Sequence, residues 1–193
     1  MISLYQKPKG SIVYDNQEYT FHPYYNRVLV LMFEVLPDTF LTAQEKVSLA
    51  VRALSDDAPE TAGIFELMMH ELFPETRRKA QKQERYFDLQ QDAAVIYSAF
   101  LQVYKIDLYK VRNQLDWRIF NALLQGLPEN TEFSRIVKLR ATKLPKRTKE
   151  NAAYVDSLSA AKRAVALKRP PEEAKKRLAE QWKTIARGLA RNG

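Results

Sequence analysis

The sequence of 193 residues contains no cysteine and only two histidines. Disulfide bonds, cysteine nucleophiles and thiolate metal sites are therefore excluded, as are zinc sites that need several nitrogen or sulfur ligands. His70 starts a His-Glu pair, but the zinc-binding helix motif requires a second histidine at the fifth position, where this chain has Pro74. We expect no metal site.

Glycine is also scarce, and the five glycines are scattered along the chain. Loops that cradle phosphates need clustered glycines because the backbone must approach the anion closely. Neither the phosphate-loop motif nor the dinucleotide-binding motif occurs, and no serine lies in a nucleophile-elbow motif. We therefore expect no catalytic residue, no cofactor and no enzymatic activity.

Long apolar runs are missing as well. The longest, VLVLMF at residues 28–33, ends at Glu34 and falls short of the roughly 20 residues that a membrane-spanning helix needs. The N-terminal segment MISLYQKPKG has no apolar core of the kind found in secretory signals. We expect a cytoplasmic protein without a membrane span.

What the sequence does contain is an uneven distribution of charge. Residues 135–193 hold 17 Lys or Arg against 5 Asp or Glu, whereas the first 134 residues hold 14 against 18. A mildly acidic body followed by a basic end predicts an acidic partner for that end. Association of the basic end with the chain's own acidic body is an equal alternative on electrostatic grounds.

Apolar residues at helical spacing predict a mainly α-helical fold. Alternation within residues 11–21, interrupted at Asp15-Asn16-Gln17-Glu18, predicts a short N-terminal β-hairpin. The stretch at residues 75–85 is almost wholly polar and is either an exposed helical extension or a mobile link. Prolines and capping residues predict body helices near residues 23–36, 42–54, 59–73, 88–104, 111–124 and 131–139.

After Pro145 the composition shifts to alanine and lysine. We predict a helical body at residues 1–144 and a basic helical arm at residues 145–193, split into two helices at Pro170-Pro171. The first arm helix carries an apolar stripe of Tyr154, Leu158, Ala161 and Val165.

The second arm helix supplies most of the candidate protein-binding residues. Its apolar stripe is flanked by cations, a layout that suits docking into a groove or onto an anionic surface. Packing of the same stripe on the body is an equal alternative. The candidates are Leu178, Trp182, Ile185 and Leu189 on the stripe, and Lys175, Arg177, Lys183 and Arg187 around it.

A further candidate is Trp117, which follows Asp116 and lies near Phe120 in the sequence, with Phe133 beyond. These aromatics either form a contact surface or, as is more frequent at helical spacing, belong to the core. Nucleic acid is a weaker partner prediction, because basic charge permits phosphate contact but no recognised nucleic-acid motif is present.

A series of residue pairs between Phe87 and Leu144 resembles a viral family. In order, the series is Phe87-Asp88, Gln91-Asp92, an aromatic face from Tyr97 to Tyr104, Ile106-Asp107-Leu108, Asp116-Trp117, Gly126-Leu127-Pro128-Glu129, and Phe133 with Arg140. It is similar to the bacteriophage gene-product-fifteen family, and the similarity extends over residues 11 to about 167. Residues from Pro171 onward extend beyond the family pattern.

The resemblance implies a siphophage tail assembly chaperone in the host bacterial cytoplasm. The implied partners are the tape measure protein, whose long hydrophobic helices would be coated and kept soluble, and the tail-tube protein, whose subunits would be recruited. Coating would need many copies, so a homo-oligomer is an open alternative. Two other functions stay open, namely a structural tail component retained in the virion and a nucleic-acid-binding factor that acts through the basic arm.

Overall fold

The computed structural model describes residues 10–73 and 86–168, together with Pro8. In this part of the chain the fold is mainly α-helical with an N-terminal two-stranded hairpin, as the sequence predicts. The α-helices, in chain order, are α1 (Tyr25–Val30), α2 (Ala43–Leu54), α3 (Ala62–Leu72), α4 (Ala93–Tyr104), α5 (Trp117–Gln125), α6 (Glu132–Ala141) and α7 (Ala152–Ala164).

The chain divides into two compact units. Among the described residues, unit 1 comprises Pro8, 10–73 and 111–122, and unit 2 comprises 86–110 and 123–168. The predicted boundary between residues 144 and 145 stays a prediction, because much of the predicted arm, residues 169–193, lies outside the described residues.

Unit 1 begins with the hairpin. Strands β1 (Ser11–Tyr14) and β2 (Gln17–Thr20) pair antiparallel, with Ser11 opposite Thr20. Only Asp15 and Asn16 form the turn, with φ of 49° and 60°, a conformation that Asp and Asn adopt readily in two-residue hairpin loops. The predicted four-residue break is therefore too long, because Gln17 and Glu18 already pair with the first strand.

Helix α1 continues into a π-helical turn, Leu31–Val35. Helical spacing predicts an apolar stripe of Tyr25, Leu29, Met32, Phe33 and Leu36. Tyr25 and Leu36 are buried as predicted, together with Val28 and Leu31, whereas Leu29, Met32 and Phe33 are only half-buried. The prediction is wrong for these three residues because the helix begins at Tyr25 rather than Pro23, and because the i to i+5 bond from Leu36 N to Leu31 O changes the periodicity.

Helices α2 and α3 complete the N-terminal part of unit 1. Thr42 and Glu45 form the predicted capping box. The stripe that helical spacing predicts for α2 is buried in full, namely Val47, Ala50, Val51 and Leu54. Helix α3 starts at Ala62, three residues after Pro59, because Thr61 occupies the N-cap position. Helical spacing predicts a buried face of Ile64, Leu67, Met68 and Leu72. The buried side chains are Ile64, Phe65, Met68 and Leu72, so Phe65 takes the place predicted for Leu67.

Helix α5 starts at Trp117, not at Val111 as predicted. The residues before it run alongside the segment that precedes α1. Leu115 O accepts a bond from Tyr25 N at 2.9 Å, and Trp117 N donates to Pro23 O at 2.7 Å. This pairing keeps Asp116 in a β-bridge with Tyr24. The helix begins only after it, where the Asp116 carboxylate accepts the Arg118 amide at 2.7 Å.

Aromatic rings fill the core of unit 1 where α5 meets α1. Phe120 stacks on Tyr25 with ring centroids 5.1 Å apart and on Trp117 at 5.7 Å. Phe73 meets the edge of Trp117 at 6.1 Å. Such ring pairs stabilise a core beyond the area they bury.

Unit 2 is built on α4, α6 and α7. Thr131 caps α6 as predicted, accepting a bond from Ser134 N at 3.2 Å. Helix α4 starts at Ala93 rather than near Asp88, because the Asp88 carboxylate accepts the Gln90 and Gln91 amides, each at 2.9 Å, and closes a turn there.

The packed face of α7 differs by one position from the predicted stripe. Val155 is buried and the predicted Leu158 and Val165 are half-buried, whereas Tyr154 is 62% exposed and Ala161 is exposed. Lys162 lies on the packed side and reaches backbone carbonyls of α6. The prediction is therefore wrong for Tyr154 and Ala161, whose places on the packed face are taken by Val155 and Lys162. None of the helices in the described ranges combines the length and the apolar character that crossing a bilayer requires.

Candidate functional site

The most exposed large apolar side chain in the described residues is Phe40, at 95%. Its loop is ordered, because the Asp38 carboxylate accepts hydrogen bonds from Phe40 N at 2.7 Å and Leu41 N at 3.2 Å. The capping box of Thr42 and Glu45 follows at once. Phe40 is therefore displayed to solvent by a fixed backbone.

A buried lysine also holds the ends of this loop in place. Lys46, on the first turns of α2, is 4% exposed and donates from Nζ to Leu36 O at 2.9 Å. This bond ties α2 to the end of the π-helical turn on the other side of the loop. Glu45 and Leu49 are exposed and lie one helical turn apart on α2. We call Asp38, Phe40, Glu45 and Leu49 the Phe40 surface.

The part of unit 1 that carries the Phe40 surface has a net negative charge. Residues 10–73 contain ten Asp or Glu against three Lys or Arg. Hydrogen bonds from the Thr42 backbone and hydroxyl hold the pKa of Glu45 below its ordinary value. Those from the Thr20 hydroxyl and backbone do the same for the pKa of Asp57. Both carboxylates therefore stay ionised at neutral pH.

Unit 2 contains a buried ion pair, which we call the Asp92–Arg140 clasp. The two guanidinium nitrogens donate to the two carboxylate oxygens at 2.6 and 2.8 Å, and the side chains are 4% and 8% exposed. Arg140 also donates to Val165 O at 2.6 Å and to Tyr86 O at 3.1 Å. The planar guanidinium thus joins the segment before α4 to α6 and to the end of α7.

Two more side chains fasten α7 and the residues after it. Lys162 Nζ donates to Arg140 O at 2.6 Å and to Leu139 O at 3.2 Å, satisfying carbonyls at the end of α6. Gln91 donates to Ala166 O at 3.0 Å and accepts from Lys168 N at 2.9 Å. The first helix of the predicted arm is consequently packed on α6.

A basic loop precedes α7. Its four cations, all exposed, are Lys143, Lys146, Arg147 and Lys149. Asn151 orders the loop by accepting from Thr148 N at 2.7 Å and donating to Lys146 O at 3.0 Å. Arg147 pairs with Asp156 at 2.9 Å, and this hydrogen bond raises the pKa of Arg147. The loop presents positive charge on a fixed backbone.

The structure places the sequence-predicted aromatics in the core. Trp117 is 4% exposed and Phe120 2%, both in unit 1, and Phe133 is 6% exposed in unit 2. Of the two alternatives, burial rather than a contact surface describes these side chains. The remaining candidates, Lys175, Arg177, Leu178, Trp182, Lys183, Ile185, Arg187 and Leu189, lie outside the described residues.

No cluster of three or more His, Cys, Asp or Glu side chains in the described ranges could hold a metal ion. The capping box of α2 and the Asp92–Arg140 clasp engage charged side chains in structural contacts.

Sequence reasoning missed the Phe40 surface and the clasp. The first had a signal, since an aromatic residue lies between Pro37 and the Thr42 cap, where no helical stripe can bury it. The clasp has only a weak signal in the sequence. Asp92 is explained locally as a helix-start charge, and nothing in the spacing relates it to Arg140, 48 residues away.

Comparison with known protein families gives one match. Residues 8–167 match the family described as Bacteriophage Gp15 protein. No curated protein and no solved structure matches the chain. Since the matched residues make up most of the sequence, the chain belongs to the bacteriophage Gp15 family.

Proposed function

We propose that this bacteriophage Gp15 family member is a non-enzymatic tail assembly protein, a chaperone that binds the tape measure protein in the host cytoplasm and assists tail-tube assembly. Membership of the family supports the phage context. The resemblance of the residue series between Phe87 and Leu144 supports the tail-assembly role. The Phe40 surface supports the chaperone activity.

A chaperone for apolar helices must expose apolar side chains and still stay dispersed. Phe40 is 95% exposed on a loop that Asp38 and the capping box hold in place. A pre-ordered aromatic anchor loses little conformational entropy on binding. The acidic surroundings disfavour self-association through the same surface.

The client that fits this surface is an amphipathic helix. An aromatic side chain can enter the space between residues that lie three or four positions apart on the client, and Leu49 offers a second apolar contact. Glu45 and Asp38 favour Lys or Arg at the edge of the client stripe. The tape measure protein would supply such helices repeatedly, so many copies of the chaperone would line one client.

The test is co-expression of the full chain with a tape measure fragment that carries one predicted apolar helix. We expect the fragment to become soluble and to co-purify. Phe40→Ala should weaken binding by about 2 kcal/mol, or about 30-fold in Kd, as for an aromatic anchor. Val13→Ala is the matched control, because Val13 is also exposed, at 61%, and should leave binding unchanged.

Failure of the fragment to co-purify or gain solubility would remove the chaperone function. Equal loss from Phe40→Ala and Val13→Ala would show that the Phe40 surface is not the binding site. Mass spectrometry of purified particles separates a chaperone, absent from the mature virion, from a retained tail component.

The ordered basic loop supports a second candidate, binding of nucleic acid. Its affinity should fall with salt by a slope of about 0.9 for each phosphate contacted. Lys146→Glu should reduce that slope, whereas Lys105→Glu, an exposed lysine elsewhere in unit 2, should change it less. Binding that is absent, or insensitive to salt, eliminates this function.

A further inference from the structure

We infer that, when no client is bound, the Phe40 surface binds the chain's own C-terminal segment, residues 174–191. The inference rests on the proposed function for the role of the surface in client binding. It adds an internal occupant that a client must displace.

The segment has the chemistry that the surface selects. Leu178, Trp182, Ile185 and Leu189 recur at helical spacing in the sequence. Residues 174–193 carry six Lys or Arg against one Glu. An apolar stripe with basic edges is therefore available within the same chain, covalently attached and present at a high effective concentration.

The Phe40 surface carries the complementary pattern. Phe40 and Leu49 supply exposed apolar side chains. Asp38, which accepts the Phe40 amide, and Glu45, which accepts the Thr42 amide, supply negative charge. Opposite charges around an apolar centre fix both the site and the register of a bound helix. The strong net negative charge of residues 10–73 attracts the segment over a longer range.

Two of the exposed apolar side chains in unit 2 lie next to cations in the sequence, which is the wrong sign of charge for this segment. Leu144, 47% exposed, lies between Lys143 and Lys146, and Tyr109, 72% exposed, precedes Lys110. A basic helix would be repelled there. In unit 1, Val13 pairs across the hairpin with Glu18, but its side chain offers much less apolar area than Phe40. Phe40 combines the greatest exposure of any large apolar side chain in the described residues with an adjacent carboxylate, so the Phe40 surface is the favoured site.

Occupation by the segment would cover a large aromatic ring that is otherwise exposed to solvent. A tape measure helix would compete with the segment for Phe40. The exchange would release a basic peptide as the client binds, and that peptide would become free for the second partner in assembly.

The two tryptophans of the chain provide the measurement. Trp117 is 4% exposed, so a change in acrylamide quenching of the full-length protein reports mainly Trp182. We expect Trp182 to be protected in the parent chain. Phe40→Ala and Phe40→Lys should raise its quenching to that of a synthetic 169–193 peptide. In the lysine variant this rise should be most complete at low salt, where the added positive charge repels the basic segment most strongly. Phe40 is almost fully exposed, so neither variant disturbs the core.

Val13→Ala and Val13→Lys are the matched controls and should leave the quenching unchanged. Quenching of the parent chain that already equals that of the free peptide, or an equal rise in the Val13 variants, overturns the inference. Protection that disappears on dilution assigns the segment to the surface of another copy and also overturns it.

The assay contains no tape measure fragment, so it separates the two proposals. If Trp182 is protected by Phe40 but the fragment does not co-purify, the internal contact stands and the chaperone function fails. If Phe40→Ala abolishes capture of the fragment without changing the quenching, the chaperone function stands and the internal contact fails.

Discussion

The two units of the molecule are stabilised in different ways. Of the buried apolar side chains, sixteen belong to the described residues of unit 1 and seven to those of unit 2. Unit 2 has fewer buried apolar side chains but contains a buried ion pair, and its Arg140 and Lys162 bond to backbone carbonyls of other segments. Unit 1 is held mainly by apolar burial, which is non-directional, whereas unit 2 depends on directional bonds that specify where chain segments end.

The two units also differ in net charge. The described residues of unit 1 hold eleven Asp or Glu and five Lys or Arg, and those of unit 2 hold seven and twelve. Carboxylates therefore outnumber cations in unit 1, the unit that contains Phe40. The clasp of unit 2 uses charged groups for structure, while its basic loop keeps others exposed. We therefore propose separate binding tasks for the two units.

The largest expected effect tests the dependence of unit 2 on its clasp. Arg140→Ala leaves the Asp92 carboxylate buried without its partner and should lower the free energy of unfolding by about 3–5 kcal/mol. Urea denaturation measures it. Lys138→Ala is the control, since its pair with Glu129 is 69% and 83% exposed and should matter little. Equal effects of the two variants would contradict the role of the clasp.

The next effect tests the apolar core of unit 1. Met68 on α3 is fully buried, so Met68→Ala should lower the free energy of unfolding by about 2–5 kcal/mol. Because apolar burial involves no charge, the loss should be similar at low and high salt. Its neighbour Met69 is only half-buried, and Met69→Ala should cost clearly less. A loss that depends strongly on salt would show that unit 1 is not held as described.

A smaller effect is expected at Lys162, which satisfies carbonyls at the end of α6. Lys162→Met keeps the length of the side chain but removes its donors, so the free energy of unfolding should fall by about 1.5–3 kcal/mol. Hydrogen exchange should also speed up in the last turn of α6. Arg163→Met, at an exposed position on the same helix, is the control and should leave that turn protected.

The smallest effect concerns the cap of α2. Thr42→Ala should lower the free energy of unfolding by about 1 kcal/mol, and Thr39→Ala, at an exposed position in the preceding loop, should change it less. The pKa of Glu45 is lowered in the folded state from its ordinary 4.5 by hydrogen bonds with Thr42. The associated stabilisation is present above pH 4.5 and is lost as the pH falls through the lower folded pKa.

Thr42→Ala removes the hydroxyl that contributes to this shift. Urea denaturation at a series of pH values should therefore show a weaker loss of stability below pH 4.5 in the variant than in the parent chain. Identical acid sensitivity in both chains would show that the capping box contributes no pH dependence to unit 1.

Elements with local signals were predictable. The capping box at Thr42 and Glu45 marks the start of α2, Thr131 marks α6, and Asp15-Asn16 supplies the hairpin turn. In each case the residues that form the signal lie within a few positions of one another. Backbone geometry therefore links them without any help from the rest of the fold.

Elements that depend on distant partners were not predictable in detail. The start of α5 is set by pairing of Leu115 and Trp117 with the segment before α1, about 90 residues earlier in the chain. The packed face of α7 is set by Lys162 and the carbonyls of α6. Helical periodicity ranks such a lysine as solvent-facing, although its long stem allows the charged end to reach a carbonyl.

By itself, the sequence determined the mainly helical class, the caps, the contrast between an acidic and a basic half, and the family. All of these depend on composition, order or near neighbours. Only the tertiary structure decided that Asp92 meets Arg140, that Trp117 is buried, and that Phe40 stays exposed. Whether a side chain is buried, paired or displayed depends on what another segment brings to it, and one-dimensional spacing does not contain that information.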